Sequence, residues 1–156
     1  MFSVHCPFKL DLAFIVDTSQ SITTEDFSRV RNFMTDSVAQ MEIGENGNHI
    51  AALAFGNTAE IFMYFNTITG PSLTRTSVIN RLSNFTQLGG VTRIDIALLR
   101  AQTEIFTVAN GMRNSDEIRK VGNENMILYT CSLTTVVRQL VYIMKLSGIL
   151  YKHKFA

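Results

Sequence analysis

Five consecutive apolar residues, Leu12 to Val16, with no polar alternation constrain this chain more than any other feature. A strand with one wet face alternates apolar and polar side chains; an unbroken run belongs to a strand buried on both faces of a parallel sheet. The run sits inside Lys9 to Ile22, KLDLAFIVDTSQSI, and its polarity then flips. Asp17, Thr18, Ser19, Gln20 and Ser21 supply one carboxylate and three hydroxyls where the strand ends. Open α/β sheets place ligands outside the carboxyl ends of their strands, and hard oxygen donors clustered there suit Mg²⁺, Mn²⁺ or Ca²⁺. The same five residues also suit a polar strand-to-helix turn in which Ser and Thr act as caps.

The following residues repeat the logic. Thr23 and Asp26 give a helix-start signal, and Phe27, Val30, Phe33, Met34, Val38 and Met41 then recur at three- and four-residue steps. This predicts an amphipathic helix of about four turns that ends before Gly44. His49–Phe55 and Glu60–Phe65 are apolar runs joined by Gly56-Asn57-Thr58-Ala59, a connection too short for a parallel crossover, so they predict a hairpin at one side of the sheet. His49 reads as a partly exposed structural residue. After Gly70-Pro71, Val78, Ile79 and Leu82 predict a short helix closing before Phe85.

A second polar loop follows, Leu88-Gly89-Gly90-Val91-Thr92. Paired glycines permit close backbone approach, Thr92 adds a hydroxyl, and a helix begins at once with Ile94, Ala97, Leu98, Ala101 and Ile105 on one face. Gly111 to Gly122 reads as a polar loop, Met126 to Tyr129 as a strand, Thr134 to Leu146 as a helix with Val137, Leu140, Val141 and Met144 inward, and Ile149 to Tyr151 as a last strand. The alternation predicts an α/β fold, a doubly wound and mostly parallel sheet with one antiparallel hairpin strand and helices on both faces.

The spacing D-x-S-x-S after a buried strand, followed about 70 residues later by Gly-Gly-x-Thr before a helix, resembles the von Willebrand factor type A family. Asp17, Ser19 and Ser21 fall on the positions of its first metal loop and Thr92 on that of its second. The family's third loop is a strand ending in Thr-Asp-Gly; this chain has Thr130-Cys131-Ser132, without the carboxylate. The resemblance covers residues 10–150, as one domain spanning 1–156 with a lead-in at 1–8 and a divergent tail at 152–156 where the family has a closing strand and helix. It implies an extracellular adhesion or matrix module whose Mg²⁺, Mn²⁺ or Ca²⁺, held by Asp17, Ser19, Ser21 and Thr92, binds an acidic group of a protein ligand such as collagen or another matrix protein. With one loop acid missing, that metal would bind weakly. Asp95 is either a substitute acid or a solvated surface residue.

Other classes fit less well. Fourteen basic against 13 acidic residues leave a net charge of +1, with no Lys/Arg run to mark a nucleic-acid surface. No apolar run reaches the roughly 18 residues of a membrane span, and Met1 to Leu10 lacks the pattern of a signal peptide. A metal-dependent hydrolase would need a second carboxylate, a Walker loop or a nucleophile elbow; none is present, and His5, His49 and His153 fall outside the loops. A type A fold with a degenerate metal site, serving assembly alone, is the main rival. Cys6 and Cys131 sit at opposite edges of the sheet, roughly five strand residues apart, too far for a disulfide. Asn84-Phe85-Thr86 is a glycosylation triplet if the chain is secreted.

Overall fold

The computed structural model describes residues 10–113 and 138–144. Among these residues the sheet has four strands, β1 (Leu10–Asp17), β2 (His49–Phe55), β3 (Ala59–Met63) and β4 (Arg138–Met144), in the order β3-β2-β1-β4. β1 runs parallel to both β2 and β4, and β3 is antiparallel to β2 at the edge. The central place of β1 follows from its composition: Leu12 to Val16 are all fully buried.

The pleat divides that run between two cores. Leu12, Phe14 and Val16 face one side and pack with α1 (Thr24–Ala39) and α2 (Arg75–Ser83); Ala13 and Ile15 face the other, with α3 (Ile94–Arg100). Burial of each large side chain in these layers contributes about 1.5–3 kcal/mol. α1 begins where the sequence signals it: the Asp26 amide donates to Thr23 Oγ1 at 3.1 Å, and Phe27, Val30, Met34 and Val38 are its buried stripe. Phe33 and Met41 are partly buried against the same core. Val78 and Leu82 of α2 are buried as expected.

Three expectations need correction. Thr134 to Leu146 is not one helix, because Arg138–Met144 forms β4, paired from Leu10↔Arg138 to Val16↔Met144. The helical reading used Val137, Leu140, Val141 and Met144 but left Tyr142 and Ile143 unaccounted for; Leu140 to Met144 is itself an unbroken apolar run with two β-branched residues, the same signature as β1. Leu98, expected inward, is 44% exposed, since the inward line runs at four-residue steps through Ala97, Ala101 and Ile105. The helix is also not continuous to Ile105: after Arg100 it widens into one π turn, where the Phe106 amide donates to the Ala101 carbonyl at 2.9 Å. The strands expected at 126–129 and 149–151, the third loop at 130–132 and both cysteines lie outside the described residues.

At the end of the sheet where β1 and β2 begin, Asp11 is fully buried and paired with Arg113: Nη2 and Nε reach Oδ1 at 2.6 and 2.8 Å, and the Arg113 amide donates to Oδ2 at 2.9 Å. Arg113 Nη1 also donates to the Gly47 carbonyl at 2.7 Å. His49 lies 3.7 Å from the same carboxylate with its side chain 13% exposed, a structural position as expected.

Candidate metal centre at the carboxyl edge

β1 ends in Asp17, and the loop after it is stitched to β2 at once. The Thr18 amide and hydroxyl both donate to the Phe55 carbonyl, at 2.8 and 3.0 Å, so a fully buried Thr18 fixes where the next residues point. Ser19 then closes a turn on Asp17, its amide donating to Oδ1 at 2.9 Å. Asp17 and Ser19 are each 1% exposed, whereas Ser21 is exposed.

The second loop is built onto the first by its backbone. Gly89 N–H donates to the Thr18 carbonyl at 2.8 Å, Gln20 N–H to the Gly90 carbonyl at 2.8 Å, and Leu88 N–H to Thr18 Oγ1 at 3.3 Å. Gln87 Nε2 reaches the carbonyls of Ser19 and Ile22 at 3.2 and 2.8 Å. Gly89 and Gly90 have φ of 78° and 79°, the left-handed region that glycine enters without strain. The hairpin turn closes over them: Asn57 Oδ1 accepts from Val91 N–H at 2.8 Å, and a Cβ on Gly56 would come within 1.9 Å of the Gly89 oxygen.

These contacts bring together the oxygens picked out in the sequence. Thr92 Oγ1 donates to Ser19 Oγ at 3.1 Å across 73 residues, and Ser19 Oγ lies 3.1 Å from Ser21 Oγ. Asp17 joins them through the Ser19 amide. Its other oxygen, Oδ2, is buried and has no hydrogen-bond partner among the described residues. A buried carboxylate oxygen without a donor is costly unless a cation or water satisfies it, and hydroxyl and carboxylate oxygens are the donor set of a hard divalent ion. The residues therefore fit such an ion. Asp95 does not join the cluster: it is 63% exposed, and Arg93 grips both its oxygens at 2.9 and 2.7 Å. That hydrogen-bonded guanidinium, the largest influence on it, lowers its pKa to about 2. Among the described residues no three of His, Cys, Asp and Glu group as metal ligands, and Asp17 is the one carboxylate among them that is hydrogen-bonded into the hydroxyl cluster.

Gln87, Gly56 and Asn57 were not singled out in the sequence as parts of the site, and Thr18, counted there among the hydroxyl donors, spends its hydroxyl on the Phe55 carbonyl. Thr18 carried a signal, a hydroxyl residue between strand and loop; Gly56-Asn57 read only as a hairpin turn, and nothing local marks a turn as the clamp of a distant loop.

Residues 11–142 match the family model of the von Willebrand factor type A domain. The human von Willebrand factor A domain-containing protein 2 is 30% identical over 104 residues, 67% of this chain and 13% of that protein. Matrilin-3 of Gallus gallus is 27% identical over 67% of this chain and 22% of its own length, and the human collagen alpha-6(VI) chain 29% identical over 72% and 5%. The chain thus spans less than a quarter of each of these relatives. A solved structure of proximal thread matrix protein 1 from the mussel byssus, described as having a zinc-occupied MIDAS motif, superposes with a TM-score of 0.58 at 25% identity, covering 66% of this chain and 26% of that one.

Proposed function

The chain belongs to the von Willebrand factor type A domain family, and from that premise we propose that it is an extracellular protein-binding module of a matrix or adhesion protein, with Asp17, Ser19, Ser21 and Thr92 holding a divalent cation. The observation that carries the reading is the convergence of three hydroxyls beside a buried carboxylate whose Oδ2 has no donor among the described residues. When bound, the ion would supply a Lewis-acidic position for an acidic group of the partner. The protein's own part is rigidity: Thr18 and the Gly89-Gly90 turn hold the hydroxyls in place through main-chain bonds, so little ordering is left to the moment of binding. The kinship with matrilin-3 and collagen VI supports a matrix setting and a protein partner.

That Asp17 is the one carboxylate bonded into the cluster among the described residues favours a second reading, a domain that docks in an assembly without metal. One experiment separates the two. Binding of the purified chain to immobilised collagens and matrix proteins is measured with Mg²⁺ or Mn²⁺, with chelator, and for Thr92→Ala and Ser19→Ala. Binding lost in chelator and in both variants is the expected result. Binding indifferent to chelator would overturn the metal-dependent reading in favour of assembly alone.

A further inference from the structure

We propose that Asn84 is an N-glycosylation site whose oligosaccharide stands on the α2 side of the Ser19–Thr92 cluster. Asn84-Phe85-Thr86 is the one Asn-x-Ser/Thr triplet in the 156 residues, so an N-linked sugar on this chain has a single address.

The structure adds to the motif. Asn84 caps the carboxyl end of α2, where the chain leaves the helix. Asn84 and Thr86 are exposed, while Phe85 between them is 1% exposed, stacked on Phe27 at 6.1 Å and set edge-on to Phe62 at 4.9 Å. A core aromatic therefore pins the triplet and turns its two reactive neighbours to solvent. The surroundings, Asn80, Arg81 and Ser83, are polar and exposed, so a sugar here displaces no packed apolar surface.

The chemistry is compatible with the folded turn. Asn84 Nδ2 displaces the pyrophosphate of a lipid-linked oligosaccharide donor from the sugar C1. The Nδ2–C1 bond forms, the C1–O bond breaks with its electron pair leaving on the pyrophosphate, and one amide proton is released. In the folded chain Nδ2 donates to the Asn80 carbonyl at 2.9 Å, and the product amide keeps one of its two hydrogens as a donor.

Position gives the modification a consequence. Gln87, which holds the carbonyls of Ser19 and Ile22, follows Asn84 by three residues, and three residues span at most about 11 Å. A bulky glycan rooted there covers the approach over α2. It leaves open the approach over Val91, which is 60% exposed, and α3, which packs on the opposite face of the sheet. A large partner would then reach the cluster from the α3 side.

The proposal rests on the extracellular reading above. The test supplies the compartment: the full chain is translated behind a secretory leader in the presence of microsomes, and only protease-protected chain is analysed. One glycan, removed by peptide-N-glycosidase, is expected on the parent and on Thr86→Ser, and none on Asn84→Gln or Thr86→Ala. Protected parent chain at the bare polypeptide mass overturns the proposal, as does a glycosylated chain that unfolds at lower urea than its enzymatically deglycosylated form. Neither result touches metal-dependent binding, which is read separately on bacterially made chain.

Discussion

Replacing Gly56 by alanine tests whether the hairpin turn holds the second loop in place. The added Cβ would sit 1.9 Å from the Gly89 carbonyl oxygen, and Cβ atoms essentially never come within 3.0 Å of such an atom. Both partners are backbone, so neither can rotate aside; the Gly89 loop has to retreat by about 1 Å in a close-packed site. A retreat of that size carries the bonds between Gly89 and Thr18 and between Gln20 and Gly90, both 2.8 Å, beyond good hydrogen-bond range. Overpacking costs about 1–3 kcal/mol and each of the two bonds about 0.5–1.5 kcal/mol, so we expect about 2–6 kcal/mol, a large part of the net stability of a domain. Urea unfolding followed by circular dichroism measures it, and Mn²⁺ titration calorimetry on the same variant should show weakened affinity as Thr92 moves away from Ser19. If Gly56→Ala unfolds within about 0.5 kcal/mol of the parent and titrates alike, the two turns do not touch and the site is not assembled as described.

Two further outcomes concern the other end of the sheet. Arg113→Leu strands Asp11 as an unpaired buried charge and should cost about 3–5 kcal/mol in urea unfolding, with Asp11→Leu in the same chain recovering most of it; a loss below about 1 kcal/mol would show that the pair does not support the fold. Burial first, and then the Arg113 cation, hold the pKa of His49 below its ordinary 6.5, against the pull of Asp11. The unfolded chain therefore binds more protons there, so stability is full above 6.5 and falls as pH drops toward the folded pKa. Unfolding midpoints from about pH 7 to about pH 5 should show that slope, and His49→Gln should flatten it; an unchanged slope would place its origin elsewhere.

Where a single stretch of chain encodes its own conformation, the sequence was enough. The two-sided burial of Leu12 to Val16, the cap at Thr23, the stripe from Phe27 to Val38 and the turn at Gly89-Gly90 are each written in neighbouring residues, because periodicity, capping and left-handed φ are local properties. Leu98 and Arg138–Met144 were misread for a related reason. A helix face and a short buried run are both lines of apolar residues, and only the neighbours they meet choose between inward and outward, or helix and strand.

Residue type marked the two loops, Asp17 to Ser21 and Leu88 to Thr92, as polar ends of predicted elements, and the resemblance to the type A family's metal loops picked out Asp17, Ser19, Ser21 and Thr92 within them. The sequence could not show that Thr92 lies 3.1 Å from Ser19, that Thr18 is bonded to Phe55, or that Gly56 bears on Gly89. Those contacts join residues 37, 73 and 33 positions apart. They arise because β1 and β2 lie side by side, so that their carboxyl-end loops share one edge and the glycine turn has room to settle between them. Such proximity is a property of packed layers, and no run of adjacent side chains records it.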